Sequence, residues 1–244
     1  MNEKPYVAMT LAYLKAQGVE LEHSEDLSYF KIQGGHVYKP MCGTVPGDFS
    51  SAAFPACAAA VTGGPVTLQG LDPDDTQGDK AVFTMLERMG CTVEWSRDEK
   101  GEHGVTIGRT GPLIGRDIDL NNTPDALPVL AAIACYAGGE TGLLNVPNAR
   151  IKETDRLAVM ANELRKLGGV VEELSDALIV RGAGGRGGPA LNGGSTMGHD
   201  DHRVVMALAV AALGAAGPVE IDSAESAAVT YPGFLELLGA ETRL

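Results

Sequence analysis

The pattern Leu-x-x-x-Gly recurs four times in this chain, as Leu14 to Gly18, Leu86 to Gly90, Leu164 to Gly168 and Leu235 to Gly239. The glycines stand 72, 78 and 71 residues apart. Each closes a helical run at a point where the backbone needs a positive φ, which glycine adopts at little cost. The first three lead straight into β-like segments at 19–22, 92–95 and 170–173. Three Ala-rich runs interleave with this series, at about 50–62, 124–137 and 201–213. Each ends in small residues and turns into a strand, at 65–68, 142–145 and 218–221. The middles of these runs are apolar on nearly every face, the mark of a helix buried all round.

The unit is a β-α-β-α-β-β module of about 75 residues, present nearly three times. Segments with period-two patterning, such as 104–107 and 177–180, supply the sheets. Buried Ala-rich helices with amphipathic partners predict helices inside and sheets outside. A solenoid would also satisfy a repeat. The long period, and the different polar residues in each copy, favour a closed pseudo-threefold α/β domain, an inside-out barrel. Residues 1–46 read as the end of a neighbouring domain, with a helix at 6–17 and strands at 19–21 and 29–32. The Thr44-Val-Pro-Gly47 stretch is the expected hinge, and 47–244 is the expected main domain.

Net charge is −13, which disfavours nucleic acid or an anionic membrane as a partner. No apolar run reaches transmembrane length; 126–137 comes nearest and is too short. Cys57 and Cys135 lie in apolar helical runs and read as buried thiols rather than ligands. With a polar N-terminal stretch, this sets the expectation of a reducing, cytoplasmic compartment.

Against that acidic background the run Arg150-Ile-Lys-Glu-Thr-Asp-Arg156 stands out. Cations gathered at a helix entrance make a seat for an anion, and acids beside them can move protons. Two further entrances carry unusual polar residues: Asn122-Thr-Pro-Asp125 and His199-Asp-Asp-His-Arg203. On a pseudo-threefold domain these three ends meet on one face. Arg156 and Arg203 could then clamp a phosphate or carboxylate, with Lys152 as a more mobile charge and Asp125 and Glu153 as proton carriers. Each residue also has a plainer role. Asp125 could simply oppose a helix dipole, and Lys152, Glu153 and Arg156 could pair on a solvated first turn. His199 and His202 lack a third nitrogen or sulfur ligand at recognisable spacing, so a capped helix start is preferred to a zinc site. Ser50 and Ser51 follow Gly47-Asp48 without a phosphate-loop lysine and read as a helix cap.

Taken together, these motifs resemble the enolpyruvylshikimate phosphate synthase family. The resemblance lies in Asn148 to Arg156 with its Lys-Glu-Thr-Asp-Arg core, Pro124-Asp125, Asp201-His202-Arg203 with Met206, Gly47-Asp48-x-Ser50-Ser51, Gln77-Gly78-Asp79 and Tyr231-Pro-Gly-Phe234. It implies an inside-out α/β fold of two domains with the active site in the cleft between them. It implies transfer of the enolpyruvyl group of phosphoenolpyruvate to shikimate 3-phosphate, with release of phosphate and no metal or organic cofactor. By position, Asp125 and Glu153 would carry protons, and Arg156 and Arg203 would hold phosphoenolpyruvate. Tyr6, Asn148 and Lys152 would contact shikimate 3-phosphate, with His202 close by. Two positions depart from the family pattern: Val229 stands where a lysine contacts the donor, and Glu3 where a serine contacts the shikimate phosphate. The resemblance covers only the C-terminal portion of the family, somewhat more than half. It therefore implies a complementary N-terminal half as partner, without which the site is incomplete. A non-catalytic module that binds anions with the same arginines is the alternative.

Overall fold

Three apolar helices form the centre of the molecule, and their composition dictates that position. In the computed structural model, which describes residues 2–40, 42–99, 101–184 and 190–241, these are α2 (Phe49–Thr62), α4 (Leu127–Ala134) and α6 (His202–Ala212). Every residue of α4 is buried, as are eleven of α2 and nine of α6. Alanine on the mutual faces lets the three helices pack closely against one another. Leu127, Val129, Leu130 and Ile133 fill the space between them, each contributing about 1.5–3 kcal/mol of burial.

The sheets lie outside this bundle. Strands β3 (Val66–Gln69), β4 (Thr92–Arg97) and β5 (His103–Gly108) form an antiparallel sheet in the order β3-β5-β4. Strands β6 (Ile118–Asp119), β7 (Gly138–Leu144), β8 (Val170–Glu173) and β9 (Leu178–Ala183) form a second, β6-β7-β9-β8, in which only the β6–β7 pair is parallel. A third sheet pairs β10 (Gly194–Thr196) with β11 (Val219–Ile221) in parallel. Amphipathic helices α3 (Ala81–Arg88) and α5 (Arg156–Lys166) close the first two units by burying Val82, Phe83 and Leu86, and Leu157, Met160 and Leu164. A short α7 (Phe234–Leu237) stands at the corresponding place in the third. The chain has an inside-out α/β fold. Among the described residues only the middle unit shows the full β-α-β-α-β-β order; the first lacks its leading strand and the third its final two.

The helix-stop glycines have the expected backbone, with φ of 74° at Gly18, 100° at Gly90, 87° at Gly168 and 71° at Gly239. The strand read as 19–21 lies at Leu21–His23, and the largest differences from expectation surround the second apolar run. The helix read as 124–137 begins as a 3₁₀ turn at Pro124–Ala126 and ends at Ala134, and β7 starts four residues early at Gly138. The cause is close backbone contact: a Cβ at Gly182 on β9 would collide with the carbonyl oxygens of Ala134 and Ala137. Sheet and central helix meet here without room for a side chain. Gly182→Ala is expected to destabilise the protein by at least about 1–3 kcal/mol. Gly139→Ala, at φ 89° in open space, should cost only the ~1 kcal/mol of a strained backbone. Paired urea titrations would separate the two, and equal midpoints would refute the close-packing account.

Residues 2–40 stand apart in character. Helix α1 (Lys4–Ala16) buries no residue, and strands β1 (Leu21–His23) and β2 (Phe30–Ile32) form a largely exposed hairpin. The start of α1 nevertheless touches the main body: the Glu3 N–H donates to the carbonyl of Asn121 at 3.1 Å, and Pro5 sits over Gly78. Among the described residues no helix is long and apolar enough to cross a membrane.

Candidate active site

Five helix starts share one face of the molecule, because the repeat presents the same end of each helix to the same side. Asp48 caps α2 by accepting from the Ser50 and Ser51 N–H groups, Asp155 caps α5 through Ala158 N–H, and Asp201 caps α6 through Arg203 N–H. Asp125 lies in the 3₁₀ turn that opens α4, and Asp79 in the turn that opens α3. Thr123, the residue before that turn, makes no capping bond.

Arg156 is the centre of the arrangement. Only 1% of it is exposed, yet three carboxylates surround it. Nε and Nη2 donate to the two oxygens of Asp201 at 2.8 and 3.1 Å, Nη1 to Asp125 at 2.9 Å, and Nη2 to Glu153 at 2.5 Å. The Asp201 contact is bidentate, the geometry that suits a planar guanidinium. Thr154 Oγ1 and the Arg203 N–H also donate to Asp201. Burial pulls Arg156 down, but the Asp201 hydrogen bonds, with the charges of Asp201, Asp125 and Glu153, outweigh it and hold the guanidinium above its ordinary value. Asp201 shows the converse. Burial pushes its carboxyl up, and Arg156, Thr154 and the Arg203 N–H more than reverse that, leaving it below the usual carboxylate range.

This balance has a pH consequence. An acid depressed by folding contributes stability that is present above its unfolded pKa and lost as pH falls through the folded value. Glu163 adds in the same direction. Burial raises it, and Lys166, the Met197 N–H and His199 together bring it below its ordinary value. Urea unfolding at stepped pH from 7 to 3 should show a steep acid decline. Asp201→Asn should be less stable at pH 7 and flatter below pH 4; an unchanged acid slope would count against the assignment.

Asp125 connects the remaining cations. Its carboxylate lies 3.5 Å from Lys152 Nζ and 3.4 Å from Arg203 Nη2, in addition to Arg156. His202 Nδ1 stands 3.9 Å from Glu153. Burial, then the Arg203 charge, lower the His202 imidazole against the opposing charges of Asp201 and Glu153. Asn148 and Lys152 both reach Glu3. Tyr6 donates its hydroxyl to Asp79 at 2.9 Å, and Ser50 Oγ bonds the same oxygen. Burial, then the Asp79 charge, push the Tyr6 phenol well up, so it remains a donor. Asp79 is itself raised, by burial above all and against the Ser50 and Tyr6 hydrogen bonds. Its Oδ1 is buried without a hydrogen-bond partner.

The structure thus brings Asn148, Lys152, Glu153, Arg156, Asp125, His202 and Arg203 together, with Tyr6 beside them through the Asp79–Ser50 pair. Arg150 serves elsewhere: it binds Asp155, Glu173 and the carbonyls of Leu174 and Ser175, which pins the loop after β8. His199 and Asp200 adopt successive left-handed conformations, φ 56° and 55°, a costly turn for non-glycine residues that delivers Asp201 to its cap. His199 bonds Glu163 and lies outside the cluster. Sequence reasoning treated Asp201, Asp79 and Ser50 as caps or motif members rather than as parts of the site. Their signal was position: each stands at a helix start of the same series. Two surface depressions of ≈ 520 and ≈ 510 Å³ include none of these residues.

Residues 1–238 match the model of the family described as EPSP synthase (3-phosphoshikimate 1-carboxyvinyltransferase). The chain belongs to the EPSP synthase family. It is 47% identical over 239 residues to the 3-phosphoshikimate 1-carboxyvinyltransferase of Acetivibrio thermocellus, covering 98% of this chain and 53% of that protein. The relative from Methanocella arvoryzae is 46% identical over 239 residues, covering 98% and 54%. The solved EPSP synthase of Acinetobacter baumannii superposes with a TM-score of 0.76 at 32% identity, covering 94% of this chain and 53% of that one. The enolpyruvyl transferase NikO from Streptomyces tendae, at 23% identity, shares the fold with a TM-score of 0.74 over 100% of this chain and 55% of its own. The chain spans about half the length of the curated relatives it matches.

Proposed function

We propose that this chain supplies one wall of an enolpyruvyl transferase site. The reaction moves the enolpyruvyl group of phosphoenolpyruvate to a hydroxyl of shikimate 3-phosphate and releases phosphate. The observation that carries the reading is the contact of one carboxylate, Asp125, with three cations from two other parts of the chain, Lys152 and Arg156 from one and Arg203 from the other.

The chemistry suits that arrangement. A proton adds to the methylene carbon of phosphoenolpyruvate, and positive charge grows on the neighbouring carbon. The acceptor hydroxyl attacks that carbon and loses its proton. The methyl group then gives a proton back as the bond to phosphate breaks. Asp125 is placed to orient and deprotonate the hydroxyl, and Glu153, about half exposed beside Arg156, to carry the proton at carbon. Arg203 faces the donor anion, with Arg156 as a rigid charge behind it. Tyr6, Asn148, Lys152 and His202 face the acceptor. Residues 1–46 belong, in this reading, to a second domain whose remainder forms the opposite wall; the expected setting is the cytoplasm.

The reading is tested by phosphate release from both substrates. The chain alone is expected to be slow or inactive. Adding the segment that corresponds to the N-terminal half of the Acetivibrio thermocellus relative is expected to raise the rate by orders of magnitude. No turnover under complementation, with both anions still bound by calorimetry, would favour a non-catalytic binding module. The structure offers one reason to hold that second reading: Arg156 is already saturated by carboxylates, whereas Arg203 meets Asp125 only at 3.4 Å and is the cation best placed for an external anion.

A further inference from the structure

Glu3 stands at a helix start but does not act as its cap. It is the residue before α1, it has a left-handed backbone with φ 57°, and it makes no capping bond to its own helix. A non-glycine residue in that conformation is strained and persists when its surroundings demand it. The surroundings here are polar and specific. One carboxylate oxygen, Oε1, receives Lys152 Nζ at 3.0 Å and Asn148 Nδ2 at 2.9 Å. Two further bonds lock the seat from behind. Asn2 Nδ2 donates to Asn148 Oδ1 at 2.9 Å, and Asn121 Nδ2 donates to Asn2 Oδ1 at 3.1 Å. The Glu3 side chain is 24% exposed and that of Lys152 22% exposed, so the pair lies near the surface but is largely covered.

A positive donor and a neutral donor converging on one oxygen are a seat for an anionic oxygen of any origin. The charge balance of the face reinforces this. Lys152, Arg156 and Arg203 stand against Asp125, Glu153 and Asp201, with Asp79 close by. Glu3 adds a further acid, and its carboxylate occupies the Lys152–Asn148 donor pair.

We propose that Glu3 is a tethered occupant of the Lys152–Asn148 anion seat, a carboxylate that a phosphate group must displace in order to bind. The inference rests on reading this face as a site for phosphorylated acids. It adds that this chain selects against weak anions, because a ligand must compete with an internal carboxylate at high effective concentration. Glu3 is a specificity residue that acts through Lys152, and its removal strengthens binding.

Calorimetric titration of the full chain with inorganic phosphate, and separately with shikimate 3-phosphate, tests this. Glu3→Ser and the near-isosteric Glu3→Gln are each expected to bind phosphate about tenfold more tightly than the parent. Glu94→Gln on the outer sheet, exposed and equal in charge change, is expected to leave affinity unchanged. Combining Glu3→Ser with Lys152→Ala is expected to abolish the gain. Equal or weaker phosphate binding by both Glu3 variants, with unchanged thermal unfolding, overturns the proposal. So does an equal gain in Glu94→Gln, which would mean net charge alone is at work. Because α1 buries no residue, loss of fold is not expected; should Glu3→Ser unfold, Glu3→Gln decides. Turnover in the complemented enzyme without a Glu3 effect defeats this inference and leaves the proposed function standing. The opposite pair of results does the reverse.

Discussion

Asp125→Asn in the complemented enzyme is expected to slow phosphate release by about 10²–10⁴-fold, the usual contribution of a positioned proton acceptor. Asn keeps the shape and can still accept a hydrogen bond from Arg156, so the change isolates charge and basicity. Asp125 is 2.9 Å from Arg156, 3.4 Å from Arg203 and 3.5 Å from Lys152. Without its charge the two mobile cations lose the group that aims them, and an attacking hydroxyl loses its acceptor. The loss should fall mainly on kcat, since the cations themselves remain to bind both anions. Steady-state rates with each substrate varied in turn make the check. A variant within about threefold of the parent would remove Asp125 from the proposed mechanism. A loss confined to KM would make it a binding residue only.

Arg156→Met is expected to cost about 3–5 kcal/mol of stability, because it breaks a buried ion pair by removing one partner. Asp201 has no exposed surface at all, and its hydrogen bonds from Thr154 and the Arg203 N–H cannot replace a bidentate guanidinium. Asp125 and Glu153 lose the same counter-charge. The loss should therefore exceed that of Arg203→Met, whose side chain meets one carboxylate at 3.4 Å. Combining Arg156→Met with Asp201→Leu should recover much of the stability, since an apolar pair of similar volume removes the stranded charge as well. Urea unfolding of the two single variants and the double variant closes the cycle. Additive losses would show that Arg156 and Asp201 do not act as a pair.

Much of the architecture could be read from local pattern. The four Leu-x-x-x-Gly stops appear as positive-φ glycines, and 170–173 is the eighth strand as expected. Such features depend on a few adjacent residues and on backbone sterics. The early end of α4 was not readable, because it arises from the carbonyls of Ala134 and Ala137 meeting Gly182, almost fifty residues along.

The site divides the same way. Composition and spacing marked which residues were chemically unusual and placed them at helix starts, since capping and dipole effects are local. They could not show that Arg156 would be buried and saturated, nor that Arg150, six residues before it, would serve a loop instead. The linear order alone specified a repeated α/β unit and a set of acids and cations. Folding assigned each charge its partner, and put Glu3 in the seat of Lys152. Coulomb interactions depend on separation in space and on burial, and neither exists until helices far apart in the chain have packed.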